Sequence, residues 1–163
     1  YVNHSQNIAG TITPHHMMLT KKDVFLDKSI NPHHFCMPVV KNEEDLIALR
    51  NFATSGNKKF FLGTDSAPHP IEFKVPNLKS KPGIFSAPCS IEIYASIFDE
   101  EKSLDNLEKF CSINGPKFYK LPVNADQIEL IEERWTVPEY TIQQEIKIKN
   151  FMGGKELNWK LKA

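Results

Sequence analysis

Phe60-Phe61-Leu62-Gly63-Thr64-Asp65-Ser66-Ala67-Pro68-His69 is the stretch on which the reading of this chain turns. Three consecutive apolar residues without alternation predict a strand over 59–64, covered on both faces as in a parallel sheet. The strand ends at an acid. A histidine follows four residues on, beyond a proline that disfavours helix at Ala67. In an α/β barrel the C-terminal ends of the strands carry the chemistry. By position Asp65 is either a metal ligand that also moves protons or a turn- or cap-forming Asx residue. His69 is either a group that binds a carboxylate or donates a proton, or a solvent-facing loop histidine. Position alone leaves both choices open.

Outward from this stretch the pattern is that of a parallel α/β fold. Asn42, the acidic run Glu43-Glu44-Asp45 and Gly56 bracket a helix over 43–55, with a cap, negative charge at the positive helix end and a glycine for the C′ position. Its buried face is Leu46, Leu49 and Ala53, flanked by Ile47 and Phe52. Residues 8–13 predict a short strand stopped by Pro14. Residues 15–35 predict a loop with one short helical turn. Residues 66–86 form a long Pro- and Gly-punctuated loop, and loops of that length inside a domain are usually functional. Helices follow over 88–98, with Pro88 in the first turn, and over 103–113, with Ser103 as N-cap and Gly115-Pro116 as the stop. After Pro122, alternation in 127–133, 142–149 and 158–162 predicts short strands or extended arms around a Gly153-Gly154 turn.

Composition narrows the function. The chain has 163 residues, 40% hydrophobic and 25% charged, which suits one globular domain. Twenty Lys and Arg balance 20 Asp and Glu, so no strong field points to nucleic acid or a membrane surface. No apolar run approaches the roughly 20 residues of a membrane span. Tyr1-Val2-Asn3-His4 has neither the basic nor the apolar region of a leader. The lack of an initiator Met leads us to expect a preceding segment. Cys36, Cys89 and Cys111 are an odd set without CxxC spacing, which reads as reduced thiols in a cytosolic setting, with Cys89 and Cys111 in the core. His15-His16 and His33-His34 are poor bidentate units, because adjacent strand residues face opposite ways. One of each pair is expected to be a hydrogen-bonded loop residue. Cys36-Met37-Pro38 offers chemistry only through its backbone. Lys74, Lys79 and Lys81 make a mildly positive loop, read as solvated or as attractive to an anion. Phosphate-cradling glycine motifs and GxSxG are absent.

The segments Ile8–His16, Asn31–Pro38, Phe61–His69, Phe85–Pro88 and Phe110–Tyr119 running into Leu121-Pro-Val-Asn124 together resemble the C-terminal half of bacterial class II dihydroorotases, of the amidohydrolase superfamily. The likeness covers nearly the whole chain. It implies a (β/α)8 TIM-type barrel, of which this chain supplies the last two strands, their helices and the tail. Residues 1–124 would belong to the barrel and 125–163 would form a C-terminal extension of the same domain. It implies a binuclear zinc site, with a carboxylated lysine that this chain does not contain. The implied reaction is reversible cyclisation of N-carbamoyl-L-aspartate to dihydroorotate in pyrimidine synthesis. In that family the Asp at the place of Asp65 ligates one metal and hydrogen-bonds the bridging hydroxide. The His at the place of His69 binds the substrate carboxylate, and the residues at the places of Met37 and Pro82 contact substrate through the backbone. The loop around Pro82 departs from the cysteine-rich pattern expected there. The remaining ligands would precede Tyr1, so the piece alone is expected to be inactive and to need its N-terminal half. A homodimer is implied as well. A hydantoinase- or allantoinase-like cyclic-amide hydrolase and a non-catalytic barrel homologue acting as a structural partner are the alternatives.

Overall fold

In chain order the elements are β1 (Gly10–Ile12), α1 (Lys21–Val24), β2 (Phe25–Leu26), β3 (Ser29–Ile30), α2 (Glu43–Thr54), β4 (Phe60–Leu62), α3 (Ser90–Glu100), α4 (Asn114–Tyr119), β5 (Leu130–Thr136), β6 (Tyr140–Gln143), β7 (Ile146–Lys149) and β8 (Glu156–Leu161). This computed structural model describes residues 2, 5 and 7–162. Tyr1, Asn3 and His4, part of the stretch expected not to be a leader, lie outside them.

The apolar run at 60–62 pairs in parallel with β1 in the register Gly10↔Phe60, Thr11↔Phe61 and Ile12↔Leu62. α2 is the crossover between them. The backbone N–H of Asn42 donates to the Asp45 carboxylate at 3.1 Å, and Gly56 leaves the helix at a left-handed φ of 71°. The pair is locked from below by side chains. The buried Tyr94 hydroxyl of α3 donates to the Ile12 carbonyl at 2.8 Å, and Asn114 Nδ2 donates to the Phe60 carbonyl at 3.1 Å. Tyr94, Phe98 and Phe110 stack with ring centroids 5.4 Å apart, each contact worth about 0.5–1.5 kcal/mol beyond area burial. Among the described residues the strands form four two-stranded sheets and no closed barrel. This is part of a (β/α)8 barrel: a parallel β–α–β unit with the following helices.

Several expectations are corrected. Residues 15–35 hold more than one helical turn: α1 and the β2–β3 hairpin lie there. The helix expected over 88–98 begins as a 3-10 turn at Ala87–Cys89 and runs on to Glu100. The helix expected to stop at Gly115-Pro116 continues to Tyr119. A π-helical stretch over Lys109–Ile113 shifts the hydrogen-bond register, so Pro116 falls in the first turn of α4, where a missing N–H costs nothing. The true stop is Lys120, left-handed at φ 57°. The 142–149 stretch is a hairpin in itself, β6 against β7, turned at Gln144-Glu145 with φ 47° and 69°. Finally, Ile47 of α2 is 51% exposed rather than on its buried flank, whereas Phe52, 40% exposed, does pack its ring on Phe60 with centroids 4.8 Å apart.

The tail returns to the barrel elements. β8 pairs antiparallel with β5 and packs on α3. Residues 148–151 lie along the 66–86 segment, through Pro70↔Ile148 and Phe85↔Asn150 bridges and a Phe151 N–H bond to the Phe85 carbonyl at 2.7 Å.

Candidate functional site

Asp65 lies three residues beyond the end of β4 and takes a left-handed φ of 43°. Few side chains tolerate that conformation, and Asp is among those that do. The turn leaves Asp65 exposed, and among the described residues no hydrogen bond or ion pair occupies its carboxylate. A carboxylate held at a strand end with both oxygens free fits a metal-ligand role. Asp65, Thr13, His16 and Pro38 line one cavity of about 400 Å³. Burial lowers the His16 pKa, and the Asp65 charge works against that.

His69 is half-buried. Its Nε2 lies 3.0 Å from the Pro82 carbonyl, which can only accept, so Nε2 carries the proton and Nδ1 stays available. Two of the expected site residues, His69 and Pro82, are thus brought together. Gly83 makes room for this: a Cβ there would lie 2.7 Å from Ala67 Cβ and 3.0 Å from His69 Cδ2 and Nε2, and its φ is +144°. Pro82 has no N–H, so its backbone offers an acceptor alone. Met37 is 56% exposed, and among the described residues its backbone N–H and C=O have no partner. The neighbouring Pro38 carbonyl accepts from His16 Nε2 at 2.9 Å and from the Cys36 thiol at 3.4 Å. The Gly83 N–H donates to the Phe35 carbonyl at 2.9 Å, which ties the Met37 segment to the Pro82 segment.

Lys74 corrects the reading of a solvated lysine loop: it is buried, whereas Lys79 and Lys81 are exposed. Its acceptors are backbone carbonyls, two within its own loop and one at Phe35, so no side-chain pattern in the sequence could have found it. The histidine pairs divide as follows. His16 and His34 are hydrogen-bonded loop residues. His15 is buried with neither ring nitrogen bonded, and desolvation pushes its pKa down to about 3. Among the described residues His15, His16 and Cys36 are one group with metal-capable atoms, all within 4.8 Å of one another. Both His16 nitrogens are already engaged, Nδ1 with Thr13 Oγ1 at 2.7 Å and Nε2 with Pro38. As it stands this trio is therefore short of free ligand atoms. The thiols of Cys89 and Cys111 are pushed up to about 12 by burial and serve as core.

The parallel β–α–β unit with an acid beyond the strand end has the arrangement of the catalytic face of an α/β barrel. A solved D-hydantoinase, 14% identical, matches it with a TM-score of 0.73 over 94% of this chain, which speaks to fold alone. No family model matches the chain. Curated relatives are more specific. A dihydroorotase of Nitrosomonas europaea is 47% identical over 94% of this chain and 44% of its own length. That of Buchnera aphidicola is 43% identical over 96% and 44%. Among solved structures, a Saccharomyces cerevisiae dihydroorotase in complex with 5-fluoroorotic acid superposes with a TM-score of 0.88 at 33% identity, over 99% of this chain and 44% of that one. A Campylobacter jejuni dihydroorotase gives 0.87 at 37% identity, covering 99% and 47%. The chain belongs to the dihydroorotase family and corresponds to the C-terminal half of its members. It spans less than half the length of the relatives it matches.

Proposed function

We propose that the chain is the substrate-anchoring half of a dihydroorotase, which interconverts N-carbamoyl-L-aspartate and (S)-dihydroorotate in pyrimidine synthesis. The observation that carries this is the pairing of a free strand-end carboxylate, Asp65, with an imidazole held in place by a backbone carbonyl, His69 on Pro82. The yeast relative's complex with 5-fluoroorotic acid, a pyrimidine carboxylate, supports the substrate class.

Two zinc ions are the proposed cofactor; when bound they supply Lewis acidity for the ring amide and lower the pKa of water to near about 7. Asp65 is this chain's ligand. One carboxylate cannot hold two ions, so the other ligands and the carboxylated lysine come from an N-terminal half of the same barrel domain. In this scheme residues 1–124 supply barrel elements and 125–163 an extension. Asp65 accepts a proton from the attacking water and passes it to the leaving ring nitrogen. His69, through Nδ1 and in its protonated form, binds the substrate carboxylate by a charge-assisted bond. Met37 meets the ring amide with its free N–H and C=O. The Pro82 carbonyl orients His69, and its second lone pair is left for a substrate N–H. The three free thiols fit a cytosolic setting, and the complete protein is proposed to be a homodimer.

The test uses the complete protein, assayed on dihydroorotate and on hydantoin, with zinc content measured. Turnover of dihydroorotate, with two zinc ions and little activity on hydantoin, is the expected result. Preference for hydantoin would refute the carboxylate-anchoring role of His69. The isolated 163 residues are expected to be inactive, and turnover by them would refute the shared-site reading.

A further inference from the structure

Lys74 lies five residues past His69, and its side chain is turned inward, 8% exposed. Its Nζ donates to the Gly83 carbonyl at 2.7 Å, the Lys81 carbonyl at 2.9 Å and the Phe35 carbonyl at 3.4 Å. An ammonium has three N–H bonds, and these acceptors take all of them. Among the described residues no carboxylate pairs with it. A buried cation without a counter-charge is costly, and nothing about packing alone calls for one here.

The three carbonyls belong to two segments. Lys81 and Gly83 flank Pro82, whose carbonyl holds His69. Phe35 lies two residues before Met37, and its carbonyl also takes the Gly83 N–H at 2.9 Å. Lys74 thus bonds both neighbours of Pro82 and the residue two before Met37, so it touches the two segments that carry the proposed anchoring groups. Its charge is unneutralised by protein, and it reaches the surroundings: together with Lys149 it disfavours protonation of His33, after burial. His33, His69, Lys74 and Lys149 share a small cleft.

We propose that Lys74 is a positioning residue, its ammonium stapling the Phe35–Met37 and Lys81–Gly83 segments into one ledge and biasing that ledge toward anionic substrates. This rests on the dihydroorotase reading for the identity of the anion, but the staple itself does not. Burial lowers the Lys74 pKa to about 8, so the ammonium persists at neutral pH, where the three carbonyls favour it further.

The test is Lys74→Met in the complete protein, which keeps the stem and removes charge and donors. KM for dihydroorotate is expected to rise about tenfold or more while kcat changes less than about threefold, the signature of lost binding rather than lost chemistry. Both zinc ions stay bound, and Lys74→Gln, which keeps two donors, falls between. A folded Lys74→Met protein with KM within about twofold of wild type overturns the proposal, as does an equal loss of kcat and zinc, which marks a merely structural residue. Should Lys74→Met not fold, amine acetylation of the wild-type protein decides. Lys74 is expected to react far more slowly than Lys79 and Lys81, and more slowly still with dihydroorotate bound. Acetylation of Lys74 at the rate of Lys79 overturns the staple. A wild-type protein that ignores dihydroorotate refutes the functional reading alone, because the labelling contrast remains to be read.

Discussion

Gly83→Ala puts the geometry of the anchoring ledge to its sharpest test. The added methyl would sit 2.7 Å from Ala67 Cβ and 3.0 Å from two atoms of the His69 ring, at a φ of +144°. The backbone conformation costs about 1–3 kcal/mol for a non-glycine residue, and the overlap about 1–3 kcal/mol more. Ala67 has little freedom to retreat, since its N–H is bonded to the Ile84 carbonyl at 2.9 Å beside the Ser66↔Ile84 bridge. The His69 ring is the part that yields, and it loses the Pro82 carbonyl when it does. In the complete protein, KM for dihydroorotate is therefore expected to rise about 10- to 100-fold, equivalent to about 1.4–2.8 kcal/mol. The remaining strain appears as a Tm lower by about 1–2 °C per kcal/mol, because a complete dihydroorotase is more than twice this length. Steady-state kinetics and a thermal scan on zinc-loaded protein read both numbers. Wild-type KM and Tm in the variant would refute the close packing of Gly83 on His69.

Asp65→Ala in the complete protein is expected to lower kcat by at least about a thousandfold, because it removes a metal ligand and a proton carrier together; near-normal turnover would refute both roles. His69→Ala is expected to raise KM with a smaller effect on kcat, and the reverse pattern would move His69 from anchoring to chemistry. His15 gives a pH signature: burial first, then the His16 charge, holds its pKa at about 3 against 6.5. The unfolded chain takes up a proton that the fold refuses, so this contribution is fully present above pH 6.5 and lost as pH falls toward 3, by at most about 1.4 kcal/mol per pH unit. Urea midpoints measured at pH 7, 6 and 5 should decline accordingly, and His15→Gln should flatten the trend; equal slopes for the two proteins would refute it.

What could be read from the sequence was what local chemistry determines. The strand expected over 59–64 and the capped helix expected over 43–55 depend on neighbours in sequence, and they are found at Phe60–Leu62 and Glu43–Thr54. The Gln144-Glu145 turn was missed because it adopts two left-handed residues without the Asn or Gly that usually signals them. The α4 boundary was missed because a π-helical stretch moved Pro116 into a tolerated position. Lys74 was misread for a different reason. Its three acceptors lie 7, 9 and 39 residues away, and carbonyls leave no mark on a sequence. The free backbone groups of Met37 are equally silent, which is why only family resemblance could nominate them.

These contacts also divide the site into two kinds of construction. The anchoring ledge closes within the chain: Lys74, Gly83, Phe35 and the returning tail at Phe85–Phe151 support one another by bonds among described residues. The catalytic end does not. Asp65 stands exposed beyond the end of β4, and among the described residues β1 and β4 have only each other as ladder partners. No third strand extends this sheet among the described residues, and side chains take part of its edge: Tyr94 bonds the Ile12 carbonyl and Asn114 the Phe60 carbonyl. Ile47 on the crossover helix is exposed as well. Under the proposed reading, a partial barrel whose anchoring ledge is self-contained and whose β1–β4 sheet still needs neighbours follows from the sharing of the site. Partner strands that pair with β1 and β4 would bring their own strand-end ligands to Asp65, because in a barrel the same pairing that closes the sheet sets the relative height of the strand ends.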